Sequence, residues 1–227
     1  MCIFIMIGTA FALGTEQDPS HMDMMKNPDG CAACHGGRGI SGTPLLKEKV
    51  NTLCFNCHGE RGGGRARTDV ESVFQKRYVH PVLETGMRHR KNEVLPELNV
   101  SEPRHVSCLD CHSAHIVSEG QPFRGAKGYR PGDPRGGGSG IPPRRAESVF
   151  ELCYLCHSDS ANLPSGSSDI AADFSTSNPS FHPVEATGRN LSVPSLRAPL
   201  TETDMITCLS CHGNDEPWGS RGPHGSN

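Results

Sequence analysis

The chain reads Cys31-Ala-Ala-Cys34-His35 near its start and, soon afterwards, Leu53-Cys54-Phe-Asn-Cys57-His58. Both stretches contain the pattern C-x-x-C-H. The pattern occurs five times, and it takes up ten of the 11 cysteines in the chain. We number these copies along the chain as motifs one to five. They are Cys31-x-x-Cys34-His35, Cys54-x-x-Cys57-His58, Cys108-x-x-Cys111-His112, Cys153-x-x-Cys156-His157 and Cys208-x-x-Cys211-His212.

C-x-x-C-H is the signature of covalent attachment of haem c, and each residue in it has a separate role. The two thiols are spaced to form thioethers with the two vinyl groups of one porphyrin. The histidine that follows points its imidazole at the iron as the proximal ligand. The sequence therefore predicts five covalently attached haems c, each holding iron. The proximal ligands are His35, His58, His112, His157 and His212.

Three other uses of cysteine fit this pattern less well. A disulfide framework needs an even number of cysteines, but it does not need a histidine after every second one. Zinc sites pair two C-x-x-C half-sites to give four ligands, and five half-sites do not pair. A thioredoxin-like motif occurs once in a domain, beside a βαβ pattern that this sequence lacks.

The composition is typical of a chain that folds around cofactors. Hydrophobic residues make up 34% and aromatic residues 5%, whereas there are 26 glycines and 18 prolines. So few apolar side chains do not build a core of ordinary size. We expect a mostly irregular fold of loops and short α-helices with few or no strands, a multihaem cytochrome c wrapped around a chain of haems. We expect the haem-free chain to be largely unfolded.

The charge argues against nucleic acid as a partner. The formal net charge is −3 with neutral histidines. Two propionates on each haem would make the loaded protein more acidic, and nucleic-acid binding requires a basic surface.

Residues 1–15 are predicted to be a secretion signal, because an apolar run precedes the A-x-A-type cleavage site Ala10-Phe11-Ala12. A basic segment before the run is missing, and the alternative is a buried N-terminal strand or helix. The run is too short to span a bilayer, so we expect no transmembrane span. In bacteria haem c is attached outside the cytoplasm. We therefore expect a secreted protein of the periplasm, the cell surface or the extracellular space.

Residues 16–227 are predicted to form a single pentahaem domain that contains two related units, at about 53–115 and 152–224. Three segments recur: 53–58 as 152–157, 80–86 as 182–188 and 106–112 as 206–212, at offsets of 99, 102 and 100 residues. Short helices are predicted to carry the motifs, for example over residues 45–56 and 146–157. Residues 120–145 are rich in glycine, proline and basic side chains. They are predicted to form an exposed loop, with a basic docking patch as the alternative.

The motifs resemble those of the paired C-x-x-C-H multihaem c-type cytochromes. The resemblance rests on the closely spaced motifs one and two, on His115 trailing motif three, and on the His-Pro-Val segments at His80 and His182. That family includes periplasmic electron shuttles and surface cytochromes of metal-reducing bacteria, some of which polymerise into conductive filaments, or nanowires. The resemblance implies electron transfer, with other redox proteins or extracellular acceptors as partners.

Seven histidines lie outside the motifs, and an iron with two histidine ligands needs one of them on its distal side. The distal candidates are His21, His80, His115, His182 and His224. For each of these the alternative is a surface histidine. His89 lies between two arginines, and His105 has Met205 as its repeat equivalent. The alternative ligands for one iron are Met22, Met24, Met25 and Met205.

Two functions are open at this stage, an electron carrier and a multihaem reductase with an open iron. Related nitrite reductases often have C-x-x-C-K at the catalytic haem, and no lysine follows any motif here. The number of distal candidates also favours a carrier. The sequence predicts no catalytic residue.

The sequence also suggests self-assembly. His224 follows motif five as His115 follows motif three, but no further motif comes after it. We expect a neighbouring copy to supply the missing haem, so that head-to-tail contacts build an open filament. The alternative is a monomer in which His224 folds back onto the fifth haem of its own chain, or in which the tail is frayed.

Overall fold

The structure is a computed structural model that describes residues 19–39, 45–62, 69–85, 105–133, 144–158, 163 and 166–227. Within these residues turns and irregular segments predominate, which confirms the predicted fold class. The α-helices of the described part are α1 (Val50–His58), α2 (Val82–Thr85), α3 (Cys108–Cys111), α4 (Val149–His157) and α5 (Ile170–Asp173). Its 3-10 helices are Gly30–Ala33, Glu60–Gly62, Ser72–Gln75 and Cys208–Ser210.

The described strands are only two residues long, and each pairs with a strand that is distant in sequence. They are β1 (Tyr78–Val79), β2 (Lys127–Gly128), β3 (Arg144–Arg145) and β4 (Gly225–Ser226). β1 pairs antiparallel with β4, and β2 pairs antiparallel with β3. The register of the first pair places Tyr78 opposite Ser226 and Val79 opposite Gly225. The strands therefore join remote parts of the chain and do not form a sheet of ordinary size.

The helices α1 and α4 carry motifs two and four, but both begin later than predicted. Leu45 has a φ of 56°, and Lys49 is extended, so the segment before Val50 is not helical. Ser148 is also extended. The Glu151 carboxylate accepts hydrogen bonds from the backbone N–H groups of Glu147 at 2.5 Å and Ser148 at 3.2 Å, and this contact starts α4.

Motifs three and five begin with the same kind of contact. The backbone N–H of Ser107 donates to the Asp110 carboxylate at 2.7 Å, and that of Thr207 donates to the Ser210 hydroxyl at 3.1 Å. Each contact satisfies a donor at the first turn, where no intrahelical partner exists. Short polar residues beside the cysteines therefore determine where these helical turns begin.

The apolar core is divided into two small clusters. One contains Phe55, Phe74 and Val82, and the other contains Tyr129, Tyr154 and Ala171. Phe55 and Tyr154 each follow the first cysteine of their motif, in motifs two and four. Each cluster therefore anchors one motif-bearing helix, and neither is large.

The prediction of an exposed loop over residues 120–145 is wrong for part of that segment. Ala126 and Tyr129 are buried, and the backbone N–H of Tyr129 donates to the Glu151 carbonyl at 2.8 Å. Arg130 and Arg144 form ion pairs with Glu147 at 3.0 and 3.1 Å. Two of the basic residues are therefore paired with an acidic side chain just before α4, because the loop folds back against the start of that helix. Residues 134–143 lie outside the described part.

Residues 214–227 return from the second unit to the first, where β4 pairs with β1. No described helix is long and apolar enough to cross a membrane. The predicted signal, residues 1–15, lies outside the described residues.

Candidate haem sites

The ten motif cysteines are all free thiols in the structure. Those of successive motifs come close together. The Cys54 and Cys108 thiols, from motifs two and three, lie close enough together that each shifts the pKa of the other. Cys153 and Cys208, from motifs four and five, lie together in the same way. The first cysteine of each even-numbered motif therefore contacts the first cysteine of the motif that follows it.

Four of the five motif histidines face a second imidazole. The pairs are His35 with His115 at 6.0 Å between ring centroids, His58 with His21 at 5.9 Å, His112 with His224 at 6.1 Å and His157 with His80 at 6.2 Å. An imidazole nitrogen lies about 2 Å from the metal it binds and about 1.1 Å from its own centroid. Two imidazoles on opposite sides of one metal ion therefore have centroids about 6 Å apart. All four pairs have this separation.

Hydrogen bonds at Nδ1 orient these rings. His21 Nδ1 lies 2.8 Å from the Ala114 carbonyl oxygen, and His80 Nδ1 lies 2.6 Å from that of Pro223. His112 Nδ1 is 2.8 Å from the carbonyl oxygen of Pro122. A carbonyl accepts only from a protonated Nδ1, so these contacts leave Nε2 as the unprotonated nitrogen that binds metal.

Residues 21–63, which contain His21 and motifs one and two, match the family model for a doubled CXXCH motif. This match supports a multihaem c-type cytochrome. No curated protein and no solved structure matches the chain.

Burial keeps several of the chain's imidazoles neutral. It lowers the pKa values of His58, His112 and His157, and neighbouring histidines lower these pKa values further. At His112 the hydrogen bond with the Pro122 carbonyl partly offsets the lowering. Burial, followed by the neighbouring histidines, lowers the pKa of His224 to about 4. Metal ions bind the neutral imidazole. These side chains are therefore already in the metal-binding form at neutral pH.

Some of the motif thiols are held protonated and others are not. Burial, and then the neighbouring Asp110 and Cys108, raise the pKa of the Cys111 thiol to about 12. The interaction with Cys108, together with burial, raises the pKa of Cys54. The interaction with a neighbouring cysteine lowers the pKa of Cys108, and it lowers the pKa of Cys208 to about 7.

His224 differs from its sequence-based expectation. Its ring lies against His112 of motif three in the same chain and meets the edge of Phe74 at 5.7 Å. The Ser220 hydroxyl is 3.2 Å from its Nδ1. The structure places His224 against motif three of its own chain, whereas self-assembly through a neighbouring copy stays a prediction. The physical reason is the β1–β4 pairing, which carries the C-terminal segment back to the first unit.

His182 and His212 are the candidate residues that the structure does not bring against another imidazole among its described residues. Both are exposed, and the recorded ring contact of His182 is with Phe174 at 6.0 Å. His80, the repeat equivalent of His182, faces motif four of the other unit. The equivalence in sequence therefore does not extend to the surroundings of the two rings.

The remaining candidates have less specific surroundings. His105 is buried, and His89 lies outside the described residues. All four alternative methionine ligands are at least half exposed: Met22, Met24, Met25 and Met205. Within the described residues no group of three or more histidine, cysteine or acidic side chains is arranged to hold a bare metal ion.

The groups that orient the rings could not be predicted from the sequence. The Ala114, Pro122 and Pro223 carbonyls belong to residues without functional side chains, and composition and motif spacing give no sign of them. Phe123, stacked on His112 with centroids 5.8 Å apart, was also missed. Pro223 alone could have been singled out in the sequence, because it immediately precedes the distal candidate His224.

Proposed function

We propose that the protein is a pentahaem electron carrier in which every iron has two histidine ligands. The four imidazole pairs with centroids 5.9–6.2 Å apart carry this proposal, because each joins a motif histidine to a histidine outside the motifs. The ten motif cysteines would hold five haems c. The haem iron supplies reversible one-electron oxidation and reduction when it is bound.

The pairs support a proposal for each distal ligand. His115 would serve motif one, His21 motif two, His224 motif three and His80 motif four. His182 is our candidate for motif five, because it and His212 remain after the other four pairs are made. The chain's role is to bind the irons on both sides and, at His21, His80 and His112, to orient the ring through a hydrogen bond at Nδ1.

The contacts between cysteines support transfer along the chain. Cys54 contacts Cys108 and Cys153 contacts Cys208, and each cysteine is an attachment point of its own haem. Motifs two and three would therefore bring the edges of their haems together, and motifs four and five would do the same. Closely spaced haems suit a carrier that receives an electron at one end and releases it at the other.

A carrier fits these observations better than a reductase does. A reductase needs an iron with one open side, and four motif histidines already face a second imidazole. Motif five is the place to test, because His212 and His182 are both exposed. The carrier predicts that cyanide and nitrite leave the ferric spectrum unchanged. A high-spin band that shifts when either ligand is added would favour the reductase.

We also propose that the protein is exported, as the A-x-A-type site at residues 10–12 suggests, and that it passes electrons to other redox proteins or to extracellular acceptors. Fractionation of the producing cells, with N-terminal sequencing of the mature protein, tests the export. Cleavage after Ala12 in an exported pool supports it. An uncleaved cytoplasmic pool would contradict it.

Self-assembly is a second proposal, and it depends on which histidine binds the iron at motif five. If His182 of one copy binds the iron at His212 of another, a head-to-tail contact forms that does not have to close. Negative-stain microscopy of wild type and His182→Ala distinguishes this filament from a monomeric shuttle. Filaments in wild type that are lost in the variant support assembly. Monomer-sized particles in both would contradict it.

The haem count is tested by intact-mass spectrometry of the mature protein. Five covalent haems are expected from the five motifs. A mass that corresponds to four or fewer haems would contradict the pentahaem proposal.

The ligand assignment is tested separately, by the spin state of each iron in His224→Ala.

A further inference from the structure

The C-terminal segment 214–227, here called the clamp, reaches two of the proposed iron sites at once. Its His224 ring lies 6.1 Å from that of His112, in motif three. The carbonyl of the preceding residue, Pro223, accepts a hydrogen bond from His80 Nδ1 at 2.6 Å. His80 in turn faces His157, in motif four. Adjacent residues of one segment thus provide one distal imidazole and orient another.

A single lysine of the first unit secures the clamp. Lys76 Nζ lies 2.6 Å from Asn214 Oδ1, 3.0 Å from Asp215 Oδ1 and 3.0 Å from Glu216 Oε1. The Lys76 side chain is only 10% exposed, although its acidic partners are open to solvent. Removing this ammonium would leave two neighbouring carboxylates without their common counter-charge.

The other end of the clamp is secured by backbone pairing. β4 lies against β1, with Gly225 opposite Val79. A Cβ atom at Gly225 would lie 2.5 Å from the Val73 carbonyl oxygen and 2.7 Å from a Val79 methyl group. Only glycine fits there without moving the backbone. Asp215 also accepts hydrogen bonds from Asn227, through its backbone N–H at 3.3 Å and its side-chain amide at 3.1 Å.

We propose that the clamp couples the axial ligation of motifs three and four, and that Lys76 is the positioning residue that holds it in place. This inference rests on the proposed histidine ligation. Lys76 contacts neither imidazole, so it acts through the clamp. Loss of Lys76 should therefore disturb two irons together and leave motifs one and two unchanged.

The test compares the haem-loaded Lys76→Met and Lys76→Arg variants with wild type. Lys127→Met, which removes an exposed lysine of β2, is the matched control. The readouts are the ferric low-spin signals by electron paramagnetic resonance and the potentials of the individual haems in a redox titration. Lys76→Met should change two haems, with loss of the low-spin signal of motif three and a shifted potential for motif four. Lys76→Arg should restore both, and Lys127→Met should change neither.

The variant Gly225→Ala tests the same proposal independently, because it displaces the clamp without removing a charge. It should change the same two haems as Lys76→Met. Unchanged potentials and spin states in both variants would overturn the proposal that the clamp couples motifs three and four, provided that His224→Ala changes the spin state of the iron at motif three. If His224→Ala also leaves all irons low-spin, the proposed ligation itself fails. Disturbance of all five haems by Lys76→Met would also contradict the inference, because it would indicate general unfolding.

Discussion

The properties of individual imidazoles determine what each iron site can do. At His80, the Nδ1 contact with the Pro223 carbonyl leaves Nε2 available, and the ring faces His157. His21 and His112 have the same kind of contact with other carbonyls. A hydrogen bond of this type fixes ring orientation and strengthens the basicity of the ligand. The proposed iron sites of these three histidines therefore depend on a backbone position as well as on the side chain.

Replacing His80 by methionine should raise the reduction potential of one haem. A thioether is a weaker donor to ferric iron than imidazole, so the reduced state gains relative stability. The expected shift is on the order of 100 mV, within the range that axial ligands cover. Redox titration of the purified protein measures it, and His89→Met, outside the proposed ligand set, is the control. Five unchanged potentials in His80→Met would refute the assignment.

At the scale of elements, α4 is held by a buried carboxylate. Glu151 has no exposed side-chain surface, accepts from the N–H groups of Glu147 and Ser148, and pairs with Arg130. Glu147, one turn earlier, binds the same arginine from a side chain that is 67% exposed. The two acids thus share a partner and differ in burial.

Glu151→Gln should lower the free energy of unfolding by about 1–2 kcal/mol, because the amide cannot satisfy both N–H groups and the guanidinium equally well. Glu147→Gln is the control, and its cost should be below about 0.5 kcal/mol, because exposed ion pairs contribute little. Urea unfolding followed by circular dichroism measures both. Equal losses in the two variants would show that the burial of Glu151 does not matter.

The clamp should loosen in acid. The hydrogen bond from Lys76, first among several causes, lowers the pKa of Asp215 to about 2, whereas an unfolded aspartate titrates near pH 3.9. A depressed carboxyl pKa stabilises the folded clamp above the unfolded pKa, and this stabilisation is lost as the pH falls from about 4 to about 2. High salt should weaken the clamp too, since the Asp215 carboxylate is open to solvent.

Hydrogen exchange at the backbone of β4 measures the state of the clamp. Protection should fall between pH 4 and 2 in wild type, after correction for the intrinsic exchange rate. In Asp215→Asn it should be lower already at pH 7 and should change less over that range. A profile that is the same in both proteins would mean that Asp215 does not hold the clamp.

The local chemistry of these elements could be predicted well from the sequence. Their pairing with remote segments could be predicted only poorly. Covalent attachment uses five consecutive residues, so the motifs could be recognised directly. The distal candidates followed from repeats such as His80 and His182. The pairing of His224 with His112 depends on a two-residue strand contact, β1 with β4, which leaves no periodic signal. Tyr129 was likewise assigned to a loop because its partners lie in α4 and α5.

At the scale of the whole molecule, the described residues form two small apolar clusters in place of a single core. The buried aromatic members are Phe55 and Phe74 in one cluster and Tyr129 and Tyr154 in the other. So little apolar contact does not offset the conformational entropy of a chain of this length. Bound haems would add apolar surface to both clusters.

The haem-free chain should therefore be largely unfolded. A variant with serine at all ten motif cysteines keeps the size and polarity of the side chains but cannot attach haem. Its circular dichroism should lack most of the helical signal of the haem-loaded protein, and its amides should exchange without protection. A cooperative unfolding transition in this variant would show that the polypeptide folds by its own contacts.

We propose that pairs of histidines from distant parts of the chain bind the same irons. An experimental density map of the haem-loaded protein would show this ligation. We expect five haems on the five motifs, with one iron between His35 and His115, one between His58 and His21, one between His112 and His224 and one between His157 and His80. An iron at any of these four motifs with a different distal ligand, or with none, would contradict it.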